Sequence, residues 1–311
     1  GLDVEFRPGI NLKVETISDL MPVVFDQRRC TLGEGPVWDP SRSRVYWLDI
    51  LNSRVLWRSW KSDETGHIDL PSHVGAVLRV ESNSWLVSLQ DGVYRADIEF
   101  ANLKLVAPFN HDTDPLDTLN FARMRSNDAK IAPNGHGYFG TLAYDPEDFP
   151  ESGNLYVLRD GKLTVAVPRT TISNGLGWDP DESRMYFIDS PSGSIDVFDW
   201  SAQDDLLNRR TFYEVDPQIG IPDGMCVDSE GNIWVAIWGG SCVLGVNRSG
   251  ELIDRIELPT PNITSCCFVG PDLGHLAITT SDAETANSGY YGMTFLVPMS
   301  IPGSVHTLGR L

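Results

Sequence analysis

Four oxygen-bearing side chains, Glu34, Asn127, Asn174 and Asp223, each lead a copy of one sequence pattern. Glu34 is followed by Gly35, Trp38, Asp39 and Pro40, then by Arg44, Tyr46 and Asp49. Asn174 is followed at the same offsets by Gly175, Trp178, Asp179 and Pro180, then by Arg184, Tyr186 and Asp189. Asp223 precedes Gly224 and, five residues on, Asp228; Asn127 keeps the spacing with Ala132 in place of the aspartate. Brought to one point, two carboxylates neutralise a divalent charge and two amide oxygens fill further positions without adding any. That all-oxygen set suits a hard cation such as calcium, magnesium or manganese. Without a cation, Glu34 and Asp223 would repel each other. Asn-Gly and Asp-Gly pairs are also ordinary turn formers, but Glu-Gly is not, and four such residues in one frame favour a site over four turns. Arg125 lies two residues before Asn127, on the same side of an extended chain, as a candidate for holding an oxygen-rich substrate. Asp145 is a further candidate on a polar stretch downstream.

Only a repeat architecture makes distant residues equivalent. Two fainter copies, near Gly75 and Ser265, complete a series of six at intervals of about 40 to 50 residues, the period of propeller blades. The 28 Gly and 20 Pro are spread between short apolar runs, as turns between many strands require. The expected fold is an all-β, six-bladed β-propeller spanning residues 1–311 as one domain, with the metal site at one end of its central channel. Trp38, Asp39, Tyr46 and Asp49, with their counterparts Trp178, Asp179, Tyr186 and Asp189, recur with the scaffold and are assigned to blade core and turns. Two polar insertions, 111–124 and 143–153, flank the Asn127 copy as candidate lids.

The net charge of −19, from 43 acidic and 24 basic residues, argues against a nucleic-acid partner. The five cysteines, Cys30, Cys226, Cys242, Cys266 and Cys267, make neither a paired framework nor a Cys-x-x-Cys zinc motif. They suit a reducing, cytoplasmic setting. No apolar run is long enough to span a bilayer, no signal peptide is visible, and the chain begins at Gly1 rather than Met. The six histidines are scattered off the lead positions and are assigned surface or structural roles. There is no Gly-x-Ser-x-Gly elbow and no phosphate- or dinucleotide-binding glycine loop.

The segments Leu32-Gly-Glu34-Gly-Pro-Val-Trp38, Asn127-Asp128, Ile172-Ser-Asn174-Gly-Leu176, Ile221-Pro-Asp223-Gly-Met225 and Thr264-Ser-Cys-Cys-Phe268 resemble, in order, the regucalcin (senescence marker protein), gluconolactonase and luciferin-regenerating family. The resemblance covers roughly residues 30 to 280. It implies a six-bladed propeller with one divalent cation on its axis, calcium first, with zinc, manganese, magnesium or iron as alternatives. It also implies hydrolysis of sugar lactones to aldonic acids. Carried over, Glu34, Asn174 and Asp223 are the metal ligands, Arg125 and Asn127 contact substrate with Asn127 near the metal, and Asp223 is the base or orients a water that the cation holds. Ala129 stands where the family usually has Gly, and the chain from about Gly289 matches less clearly. Two other functions fit the same residues: a calcium-dependent phosphotriesterase or hydrophobic-lactone hydrolase, and a non-enzymatic calcium-binding propeller.

Overall fold

A computed structural model describes residues 21–109, 124–283 and 289–311. The candidate lid at 111–124 lies outside them except for Met124. Six four-stranded antiparallel sheets follow one another along the chain. The first strands of the six are Gly33–Asp39, Ala76–Val80, Met124–Ile131, Ser173–Trp178, Ile221–Val227 and Ile263–Val269. Each packs against the first strand of the next sheet, and the sixth packs against the first, which closes a ring around an axis. The fold is a six-bladed β-propeller, and every lead position lies on or beside an innermost strand.

The sixth blade is not continuous in sequence. Its strands run Ile263–Val269, His275–Thr280 and Thr294–Pro298, and Val23–Asp26 from the other end of the chain pairs with the third as the outer strand. Pairing Val23–Asp26 with Thr294–Pro298 in one sheet closes the ring. The C-terminal segment then crosses the far end of the axis. Gly303 bridges Asp228 and Gly309 bridges Val80, both at the end of the inner strands away from the lead residues.

Cores form between blades from the apolar positions of the repeat. Trp47, Trp234, Tyr46, Tyr138 and Tyr186 are among the largest fully buried side chains. The recurring aspartates hold the turns. Asp49 accepts backbone hydrogen bonds from Thr31 and Leu32 at 3.2 and 3.1 Å. Asp189 does the same for Thr171 and Ile172 at 3.0 and 2.8 Å. In both blades the aspartate therefore fixes the two residues entering the inner strand, just ahead of Glu34 or Asn174. Asp39 and Asp179 tie blades together through Arg79 and Arg248.

Candidate functional site

The inner strands do not run straight past the lead residues. In the third blade the ladder pairs Ser126 with Thr141 and then Ala129 with Phe139, so Asn127 and Asp128 together oppose one residue. The fourth blade skips in the same way at Asn174-Gly175 and the fifth at Asp223-Gly224. In the first blade the extra residue falls at Gly35-Pro36, immediately after Glu34. A β-bulge re-aims a side chain that a regular ladder would commit to one face. In the second blade, where the lead is Gly75 and there is no side chain to aim, the ladder from Ala76 to Val80 is unbroken.

The glycines after the leads let neighbouring inner strands approach. A Cβ on Gly175 would stand 2.7 Å from the Asp223 carbonyl oxygen and 2.8 Å from the Met225 nitrogen. Both are backbone atoms that cannot swing away. Gly175→Ala is therefore expected to lower stability by roughly 1–3 kcal/mol, the usual range for overpacking, read as a fall in melting temperature. Unchanged melting would show that the strands yield there.

The bulges bring the four leads together. Asn127 donates through Nδ2 to the Asn174 Oδ1 at 2.9 Å and to the Ser173 carbonyl at 2.8 Å. Asn174 donates through Nδ2 to Ser190 Oγ at 2.6 Å, and that hydroxyl donates to the Pro222 carbonyl at 2.8 Å, next to Asp223. Both amide nitrogens are thus committed to the protein. Glu34 and Asp223 are buried and close enough to interact strongly. Glu34 is held well above the usual carboxylate range by burial, then by the charges of Asp223 and Asp128. Burial also pushes Asp223 up to about 8. Asp223 Oδ1 is buried without a hydrogen-bond partner. Buried oxygens are normally paired, and two adjacent buried carboxylates are unfavourable as anions. A cation answers both problems, so the donor set fits one. Among the described residues, no three His, Cys, Asp or Glu side chains form a metal-binding group, so amide oxygens must complete any such site.

Arg125 leans over this group. Its Nη1 donates to Asn127 Oδ1 and to the Ser126 carbonyl, both at 3.1 Å. Burial lowers its pKa, and Tyr144, Glu34 and Asp223 pull it back up. Asp145 stands exposed on the turn after the strand Gly137–Ala143, its carbonyl accepting from the amides of Asp148 and Phe149. The preceding residue, Tyr144, is the one within electrostatic reach of Arg125.

His73 joins Tyr144, with Nδ1 2.7 Å from the phenolic oxygen. The assignment of all histidines to surface or structural roles overlooked its position beside Arg125. A signal existed: His73 lies two residues before Gly75, as Arg125 lies two before Asn127. The other four blades carry Leu32, Ile172, Ile221 and Ile263 at that offset.

Behind the leads the axis widens into a cavity of about 300 Å³, lined among others by Asp128, Lys130, Cys226, Cys266 and His306. Ser304 to Leu308 of the C-terminal segment line it as well.

Comparison with known proteins agrees with this layout. The SMP-30/Gluconolactonase/LRE-like region matches residues 32–282. A protein named putative sugar lactone lactonase YvrE from Bacillus subtilis (strain 168) is 32% identical over 85% of this chain and 88% of its own. Pentonolactonase XacC from Haloferax volcanii is 31% identical over 85% of this chain and 86% of its own. The crystal structure of a calcium-binding protein, regucalcin, from Agrobacterium tumefaciens superposes with a TM-score of 0.86 at 26% identity, covering 94% of this chain and 98% of that one.

Proposed function

We propose, for a chain that belongs to the SMP-30/Gluconolactonase/LRE-like family, that it hydrolyses sugar lactones to aldonic acids at a divalent cation held by Glu34, Asn174 and Asp223, with Asn127 beside it. The observation that carries this is the buried Glu34–Asp223 pair with its unpartnered Asp223 oxygen, set next to an arginine. Relatives named as a sugar lactone lactonase and a pentonolactonase support the substrate class, and a calcium-binding relative of the same fold supports calcium as the first cation to try. Bound at these oxygens, the cation would supply Lewis acidity toward the lactone carbonyl and offset the charge that develops on its oxygen.

The side chains divide the remaining work. Asp223 takes the proton from the attacking water. Burial raises its pKa, to about 8, which opposes the lowering that an adjacent cation would bring and favours its use as a base. Arg125 presents guanidinium donors to the ring oxygens, and its hydrogen bond to Asn127 keeps both groups in place. Glu34 contributes the second negative charge. The five cysteines are all free, which suits the reducing, cytoplasmic setting proposed for the enzyme.

The test uses chelated protein with five- and six-membered glucono-, galactono-, xylono- and arabinonolactones, and returns Ca²⁺, Mg²⁺, Mn²⁺, Fe²⁺ and Zn²⁺ one at a time. Ring opening is expected with at least one cation and little without. If no cation restores opening of any lactone, the proposal fails, and phosphotriesters and then calcium binding alone become the next assays.

A further inference from the structure

We infer that His73 and Tyr144 form a specificity-determining wall of this site, hydrogen-bonding a ring hydroxyl of the substrate and so selecting hydroxylated lactones over unsubstituted ones. The inference rests on the lactonase reading above. Its own support is geometric. His73 comes from the second blade, whose lead is the side-chain-free Gly75, and Tyr144 from the third, and they meet beside Arg125. Their contact is a 2.7 Å hydrogen bond with the rings edge-to-face at 5.6 Å. Two half-buried aromatic residues are thereby held against each other beside Arg125, while the other four blades carry Leu32, Ile172, Ile221 and Ile263 at the offset of His73 and Arg125.

The hydrogen bonding sets which polar atom is offered. His73 has its pKa lowered by burial and by Arg125, while a backbone hydrogen bond with Leu51 opposes the shift. The imidazole is therefore neutral at physiological pH and carries one proton. With that proton directed to the Leu51 backbone, Nδ1 is the acceptor, and the Tyr144 hydroxyl donates to it. The phenolic oxygen keeps its lone pairs for a donor in the site. Arg125 beside it has only donors to give. An acceptor next to a fan of donors matches a ring bearing free hydroxyls, which both donate and accept. An apolar lactone would offer the phenolic lone pairs no donor, which is how a polar pocket disfavours the analogue lacking a hydroxyl.

The experiment compares Tyr144→Phe with the wild type, both loaded with the activating cation, on a hydroxylated six-membered lactone and on unsubstituted δ-valerolactone. Phenylalanine keeps the ring contact and loses the oxygen. The ratio of kcat/KM for the hydroxylated lactone to that for δ-valerolactone is expected to fall about tenfold, the scale of one hydrogen bond to a buried group. The loss should lie mainly in KM. His73→Phe, which removes the partner rather than the oxygen, should move the ratio in the same direction. A ratio that changes by less than about twofold in both variants overturns the inference, as does an equal loss on both substrates. Calorimetric binding of methyl β-D-xylopyranoside, which carries ring hydroxyls and no carbonyl, separates the two levels. Weaker binding to Tyr144→Phe supports the wall even if no lactone is opened, whereas unaltered binding counts against it.

Discussion

Asp223→Asn is expected to lower kcat/KM for lactone opening by about 10³-fold, within the range that general-base catalysis contributes. Asparagine preserves the shape and the bulge at Asp223-Gly224, so the fold should survive, and a melting curve checks that it does. What it removes is the proton acceptor at the buried, unpartnered Oδ1 and one of two charges facing the cation. These losses are separable. Assays at rising cation concentration restore occupancy but cannot restore the base. If saturating cation returned more than about a tenth of wild-type activity, Asp223 would be a ligand only, and the base would have to be sought elsewhere.

The repeat made the scaffold readable. Asp49 and Asp189 occupy the same offset because each must accept two backbone N–H groups at the entry to an inner strand. That obligation does not vary between blades, so it leaves a periodic mark. The lead residues could be found for the complementary reason: the frame stays constant while the oxygen-bearing side chain changes. The bulges left no such mark. A two-for-one mismatch is a property of the pairing between strands, and Asn127-Asp128 contains no glycine to announce it. The outer strand Val23–Asp26 was hidden because its partner, Thr294–Pro298, lies at the other end of the chain. His73 and Tyr144 were missed on still more local grounds. Neither sits on a lead position, and their meeting depends on how the loop before the second blade and the turn after Ala143 come into contact.

The asymmetry of the ring explains how a symmetric fold acquires a direction of approach. Gly75 places no side chain on the axis, and the second blade instead contributes His73 from just before its inner strand. The polar groups proposed to contact substrate thus gather on the second and third blades. The carboxylates come from the first and fifth, and the amides from the third and fourth. A lactone whose carbonyl points toward Glu34 and Asp223 would place its ring hydroxyls against Arg125 and Tyr144, in keeping with the proposed division between charge stabilisation and recognition.

Glu34→Gln should weaken the function while strengthening the empty protein. Cation affinity is expected to fall at least about 100-fold, since one of two charges is lost; about 2.7 kcal/mol corresponds to that factor. In chelator at pH 8, however, the variant should melt at least about 1.5 °C above the wild type, a shift worth about 1 kcal/mol in a protein of this size. The sign follows from proton binding. The folded pKa of Glu34 lies well above its ordinary value of 4.5, through burial first and the charge of Asp223 next. Between 4.5 and that raised value the folded chain holds a proton that the unfolded chain has released. Stability therefore declines as pH rises through this window, and below it the carboxyl is protonated in both states and imposes no penalty. Glutamine is neutral throughout and can still accept the Gly35 amide hydrogen bond that Glu34 Oε2 accepts at 3.0 Å. The melting advantage should consequently shrink toward zero as pH falls to about 4, near the ordinary carboxylate pKa, and adding cation should reverse it, because only the wild type gains the full stabilisation of tight binding. A variant that melts below the wild type in chelator at pH 8, or binds the cation as tightly, would remove the reason for regarding the Glu34–Asp223 pair as a site held ready for a cation.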